Sequence, residues 1–595
     1  MIHFVFSEKD IRYLFLKFDN KEDEKILKKL KEHINLTDPV CYLPTYTGIP
    51  YTQDFIWEYI QPSGTKIYYC SIGLWKVIYD FFNENNVSYD GLKENQHFFK
   101  RKLQHTFEEF KAIVDSWGLS KQLRPYQYES AYKILQWYSS TSQLATRAGK
   151  TLISYIIFRY AMTYLGVKNI LMIVPATDLV TQAYDDFIEY AEFFKTECIW
   201  AKGEMVESAN LTVGTFQSLI KFIEKPTKKK PNKKYNPHFY DKFDCVFVDE
   251  THRATANQIS TIISQPFMKN VKIKFGLTGT LPKQDTDEHK IAYYCINSLL
   301  GAKIQTIKPK ELMDNGYLSN IEINQIRLWY QDERKQEDVF VLCAEYAISE
   351  FVTQQNEKGK NVKIPLTDPL HQIQYVKHLP YMVEEVKSKL YTDYQDRPHK
   401  AKLQYIKYLQ KHISLDVSTN SLVIERMMTH FFQERVDYLI NNILPNCVNN
   451  TLILGHHTQY LKDLYELIKE KFPDRNVDII TGSVNTKKRN KIKQTLKENN
   501  NCILIGSYGC MSTGITLNNL CYGVLFESFK SMVVNMQSIG RGLGLKDLSD
   551  KYVLYDFIDC FSPMVTKKKI YLQGLAKIKI YEEEQYPYKI KNICI

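Results

Sequence analysis

Residues 143–152 (QLATRAGKTL) hold the side chains and the glycine from which a phosphate grip is built. A β-like start and a small-residue loop lead into Gly149-Lys150-Thr151 at the head of an apolar helical pattern. The first N–H groups of a helix have no intrahelical partner, so they can face an anion. Lys150 would then reach the β- and γ-phosphates of a nucleoside triphosphate, and the Thr151 hydroxyl would hold Mg²⁺. Thr146, Arg147, Ala148 and Gly149 complete the cradle. The string departs from the phosphate-loop pattern at Leu144, where a glycine is expected, and AGKT by itself is more often a chance loop.

A second group changes that balance. Residues 246–252 (VFVDETH) read as an apolar strand ending in two carboxylates, with Asp249 placed to hold Mg²⁺ and Glu250 to orient an attacking water. Thr278-Gly279-Thr280 follows another apolar run; it is either a plain turn or a pair of hydroxyls that couple the site to its surroundings. Further on, residues 511–517 (MSTGITL) follow a strand, and residues 537–542 (QSIGRG) present Arg541 from a glycine-flanked turn together with Gln537. A guanidinium there can reach a γ-phosphate, although GRG alone is a common flexible turn.

These groups need elements to position them. From about 120 to 300, short apolar runs (ILMIV, CVFV, IKFGL) alternate with helical spacing, as in Ile153, Ile156, Ile157 and Tyr160. A second series starts near 451 with TLIL, VDII, CILI, YGVLF and YVLY. Strands alternating with helices predict parallel sheets covered on both faces, hence two α/β domains. Between them, about 330–445 reads as a mostly helical insertion or linker. The first 118 residues, with KIYYC and the helical set Leu74, Val77, Ile78, Phe81 and Phe82, fit a small α+β domain.

The composition agrees. Of 595 residues, 44% are hydrophobic and 24% charged, which excludes a mostly disordered chain. The net charge of +11 favours a polyanionic partner without specifying one. Twelve cysteines include no CxxC pair, so neither a zinc cluster nor a disulfide framework is indicated. His456-His457 has no second ligand pair at suitable spacing and reads as a strand-end pair. The most apolar stretch is broken by Arg159 and Lys168, and residues 1–10 are unlike a secretory signal, so a soluble protein of a reducing compartment is expected. The lysine run at 225–234 (KPTKKKPNKK) is a solvated loop or a clamp on nucleic acid.

In this order the motifs resemble those of superfamily-2 DExH-box helicases and translocases, over about 120–590. Residues 123–127 (LRPYQ) look like the family's adenine-reading element, which puts Gln127 on the base and Arg124 among the nucleotide-binding residues. VPAT and VGTFQ look like its nucleic-acid motifs in the first domain, implicating Thr177, Thr215 and Gln217; DETH is its DExH box. HHTQYLKDLYELI, TGSVNTKKRNKI and SYGCMSTGITLNNL look like second-domain motifs, implicating Thr481, Gly482, Thr513 and Gly514. ELMDNGYLSNIEI at 311–323 and the SYGxxSTGI segment resemble the phage recombination and repair branch.

The resemblance implies two RecA-like parallel-sheet domains in tandem with ATP and Mg²⁺ as cofactors. The division would be 1–118 (a small nucleic-acid-binding domain), 119–325, 326–445 (the helical insertion) and 446–595. It further implies a 3′-to-5′ motor on branched DNA, with an RNA helicase, the motor of a restriction-type complex and an ATP-gated nucleic-acid-binding module as alternatives, no membrane partner, and a cytoplasmic location (the host's, for a phage-encoded chain). One departure stands out: the family's QxxGRxxR ends here on Gly544 where its second arginine belongs, which assigns the finger role to Arg541.

Overall fold

Buried positions alternate with outward ones in the first strands: Ile2 and Phe4 in Ile2–Phe6, then Leu14 and Leu16 in Tyr13–Phe18. In the computed structural model these strands belong to a five-stranded sheet ordered Ile56–Ile60, Lys66–Ser71, Tyr13–Phe18, Ile2–Phe6, Tyr89–Asp90. Helix Lys21–Ile34 starts at Asn20, whose side chain accepts from the Glu22 and Asp23 N–H groups. Its Leu27, Leu30 and Ile34 share a core with Ile78 and Phe82 of helix Trp75–Glu84. The small α+β domain expected from the residue pattern is this layer.

The structure describes all residues except 8–11, 38–51, 197–199, 203–207, 227–231, 233, 237, 254–256, 266–269, 349, 352, 356–360, 364–375, 379–380, 414–420, 483, 485, 512–518, 529–537, 541 and 545–550. No described helix is long and apolar enough to cross a membrane.

Two compact units divide the chain, Met1–Lys308 and Pro309–Ile595. The first adds to the small sheet a seven-stranded one in the order Trp200–Lys202, Leu211–Thr215, Ile170–Val174, Cys245–Asp249, Ile273–Thr278, Ser139–Leu144, Lys303–Ile307. All its pairings are parallel. Such a sheet is covered on both faces, so Ile170–Val174 is buried at every position. Strand Ile273–Thr278 lies between the strand that ends at Asp249 and the strand that leads into the phosphate loop.

The second unit holds another all-parallel seven-stranded sheet: Asn476–Ile480, Cys502–Ser507, Thr451–Gly455, Tyr522–Leu525, Lys551–Cys560, Asn320–Trp329, Tyr588–Cys594. The two RecA-like sheets in tandem expected from the motifs are therefore present.

Two boundaries move. The division at 325 cuts through Asn320–Trp329, whose ten residues pair in register with Lys551–Cys560 of the second unit's sheet. The described part of the 326–445 insertion joins the second unit's core: Phe340, Tyr405, Leu409, Met428 and Val436 pack with Ile453, Leu461, Phe526 and Phe557. Arg435, fully buried, bonds Asp559 Oδ1 at 2.8 Å and Tyr460 at 3.2 Å, so this segment is anchored to strand Lys551–Cys560 by charge as well as by packing.

Candidate nucleotide site

Strand Ser139–Leu144 ends at a fully buried Leu144, and the chain then turns before helix Lys150–Tyr164. Arg147 adopts φ +67° and Gly149 φ +82°, so a bulkier residue takes one left-handed position and the glycine the other. At Gly149 there is no room for more: a Cβ would lie 2.2 Å from the Gln127 amide nitrogen. Burial lowers the Arg147 guanidinium to about 10.

Two residues of helix Pro125–Leu135 hold the loop. Tyr126 OH donates to the Ala148 carbonyl at 2.8 Å and Gln127 Nε2 to the same oxygen at 3.0 Å. Gln127 Oε1 accepts from the Arg124 N–H at 2.9 Å, and Arg124 Nη1 donates to Tyr126 OH at 3.2 Å. In this structure the Gln127 amide thus ties Ala148 of the loop to the start of its own helix. The motif pattern gives Tyr126 no role; its place in LRPYQ beside Gln127 is the only signal for it.

The carboxylates arrive at the end of strand Cys245–Asp249, two places along the sheet. Lys150 Nζ lies 3.3 Å from Glu250 Oε1. Glu250, at φ +52°, donates its N–H to Asp249 Oδ1 at 3.0 Å. Thr278 Oγ1 shares its proton between the Thr280 carbonyl at 2.8 Å and Glu250 Oε2 at 3.2 Å, and His252 Nδ1 sits 3.0 Å from the same hydroxyl and 3.4 Å from Oε2. The Thr280 N–H donates to Thr278 Oγ1 at 3.3 Å, closing the turn. A Cβ on Gly279 would stand 3.2 Å from Thr146 Oγ1, so the Thr-Gly-Thr turn abuts the phosphate loop itself. His252 joins the site through the histidine of DETH, a motif position to which residue types and spacing alone give no role.

Electrostatics separate the two acids. Burial, with the Glu250 carboxylate alongside, pushes the Asp249 carboxyl up to about 7 against the pull of Lys150. Burial acts the same way on Glu250, but Lys150 and His252 outweigh it and hold its carboxyl well below the usual range. The result is an ionised Glu250 beside an Asp249 short of positive charge. Two hard oxygen donors, the Asp249 carboxylate and the Thr151 hydroxyl, suit Mg²⁺.

The nucleic-acid candidates fall at the carboxyl ends of strands. Thr177 is exposed where helix Thr177–Tyr190 begins, and Gln217 is exposed in helix Phe216–Leu219. Thr215 caps that short helix by accepting from the Ser218 N–H. Thr481 is buried, with its carbonyl accepting from Arg489, while Gly482 faces open space. Thr513, Gly514, Gln537 and Arg541 lie outside the described residues, as do Lys228, Lys229, Lys230 and Lys233 of the basic run. His457, His430 and Glu527 have ligand-type atoms within 4.8 Å of one another. Glu527 is already engaged, accepting from His430 Nε2 at 3.1 Å and from the His457 N–H at 3.2 Å, which makes the group a cap on helix Thr458–Lys471.

Residues 120–283 match the family model described as type III restriction enzyme, res subunit, and residues 434–543 match the helicase conserved C-terminal domain. The ATP-dependent DNA helicase uvsW of Enterobacteria phage T4 is 26% identical over 506 residues, 82% of this chain and 81% of that protein. In its two matched domains and in this relative the chain resembles superfamily-2 helicases, UvsW among them. Among solved structures, T4 UvsW aligns over 100% of this chain and 99% of its own at 20% identity, with a TM-score of 0.38. Dbp5 of S. cerevisiae, bound to RNA and ADP BeF3, aligns over 79% and 94% at 12% identity, with a TM-score of 0.41. A helicase of this kind is an ATP-dependent nucleic-acid motor, and Lys150, Asp249 and Glu250 fall inside the matched segment of its first α/β sheet.

Proposed function

We propose that this helicase acts on DNA, moving 3′-to-5′ and remodelling branched or recombination intermediates. The observation that carries the motor chemistry is the linked set Lys150–Glu250–Thr278–His252 on the ends of neighbouring strands. The DNA assignment draws support from the relative that is an ATP-dependent DNA helicase and from the net charge of +11.

Lys150 and the loop N–H groups bind the triphosphate, with Gln127 and Tyr126 keeping the loop open for it. Thr151 and Asp249 would hold Mg²⁺, which when bound neutralises charge on the β- and γ-oxygens. Glu250, ionised and oriented by Thr278 and His252, accepts a hydrogen bond from the attacking water. Arg541 and Gln537 are the further residues proposed for the γ-phosphate charge. Thr278 and Thr280 are the proposed coupling residues at Glu250, and Thr177, Thr215, Gln217, Thr481, Gly482 and Thr513 are the residues proposed for nucleic-acid contact.

Gly544 favours one other reading, an ATP-gated nucleic-acid-binding module with weak hydrolysis, because its position lacks the family's usual arginine. Phosphate release measured with no strand, single-stranded DNA, RNA and a four-way junction separates the two. Stimulation by the junction and single-stranded DNA supports the DNA motor, stimulation by RNA alone rejects it, and binding without turnover selects the module. Arg541→Ala is expected to abolish turnover.

A further inference from the structure

The small sheet buries one face beneath its helices and leaves aromatic rings on the other. Trp57 stands opposite Tyr69 on the next strand, and Tyr69 opposite Phe15 on the one after. Their centroids are 5.5 Å and 6.0 Å apart, and Tyr13 lies 5.9 Å from Tyr69. Trp57 is 36% exposed and Tyr59, on the same edge strand, 53%. Leu14, Leu16, Tyr68 and Cys70 already form this domain's core, so the outward rings are not needed to close it. Edge strands usually carry charge that discourages association; an aromatic row there points to a partner.

The row ends at a pocket of about 240 Å³ lined by Tyr13 and Trp57 and by two cations, Arg12 and Lys274. No carboxylate is found among the described residues that line it. Lys274 sits at the start of strand Ile273–Thr278 with no ion-pair partner among the described residues; burial and the Arg12 charge push its ammonium down to about 8. Two cations that repel each other across one cavity bind an anion favourably. A phosphate supplies that anion, and the planar groups joined to phosphates in a nucleic acid supply what the rings stack on. An acidic peptide would satisfy the cations but offer the rings no flat partner.

We infer that this face is an accessory single-strand site, with a backbone phosphate between Arg12 and Lys274 and bases stacked along Trp57, Tyr69 and Phe15. It rests on the nucleic-acid reading above and extends it to a surface that the helicase motifs do not reach. Fluorescence anisotropy of the full chain with a labelled oligothymidylate, without ATP, tests it. Trp57→Ala is expected to weaken binding about tenfold, and Trp57→Phe to restore most of it. Arg12→Gln with Lys274→Gln should lower the salt slope of log K by about 1.4, two contacts of about 0.7 each. Variants that melt like the parent yet bind with unchanged affinity and slope overturn the site. So does a polyglutamate peptide that binds there while oligothymidylate affinity is untouched. If the parent chain binds no oligothymidylate, the nucleic-acid reading itself fails; loss of turnover alone leaves this result standing.

Discussion

Glu250 is held from three sides: by the Lys150 ammonium, the Thr278 hydroxyl and the His252 ring. A carboxylate so fixed, and ionised at neutral pH, is suited to take a proton from an oriented water. Glu250→Gln keeps the shape and the Thr278 bond but removes the base. Turnover is expected to fall about 10²–10⁴-fold with ATP-analogue affinity retained, read by steady-state phosphate release beside equilibrium binding. Gly149 poses the opposite test, since nothing larger fits its φ of +82° or its contact with Gln127. Gly149→Ala should cost about 1–2 kcal/mol of stability by chemical denaturation and displace the Gln127–Ala148 bond, weakening nucleotide binding. Residue types and spacing alone bring Lys150, Asp249 and Glu250 into view. The Thr278–Glu250 bond is not legible that way, because it depends on strand Ile273–Thr278 lying between two others, and strand order leaves no mark on local sequence.

At the scale of elements, fully buried parallel strands read as unbroken apolar runs, which is why ILMIV and CVFV are recognisable as strands from their residue types alone. Asn320–Trp329 (NIEINQIRLW) hides for the converse reason. Its polar positions are partnered within the fold, as with buried Gln325 bonding Asp556 and the Gly574 carbonyl, and its pairing partners lie more than two hundred residues downstream. The helical stretch before residue 446 is similarly deceptive, since lysines and glutamines on its outer faces mask the inner stripe that joins the second unit's core. Arg435 tests whether that joining matters. Removing one partner of a buried ion pair strands the other, so Arg435→Met should destabilise the second unit by about 3–5 kcal/mol in denaturant titration. Adding Asp559→Leu should recover part of the loss, because the uncompensated carboxylate goes with it. Equal stability of parent and Arg435→Met would return the segment to the status of a spacer.

Across the whole molecule, each unit has its own parallel sheet and its own buried core, so the two are expected to melt in separable steps. Their response to acid should differ. In the second unit, burial lowers His456 to about 4 from its ordinary 6.5. A histidine held neutral in this way binds its proton more readily once unfolded. Its contribution is therefore fully present above pH about 6.5 and is lost as the pH falls towards 4, a change of at most about 3 kcal/mol. Glu527 acts in the same direction: burial would raise its carboxyl, but His430 and its neighbours hold it well below the usual range, so its contribution is present above the ordinary carboxylate pKa and fades as acid protonates it. Calorimetric scans from pH 7 to 4.5 should move the second unit's transition down, and His456→Phe should flatten that dependence. A non-hydrolysable ATP analogue in the same scans should raise the first unit's transition most, since the phosphate loop that grips it lies there. Scans in which His456→Phe leaves the pH dependence as it was would show that the acid sensitivity of this unit lies elsewhere than in the cap around helix Thr458–Lys471.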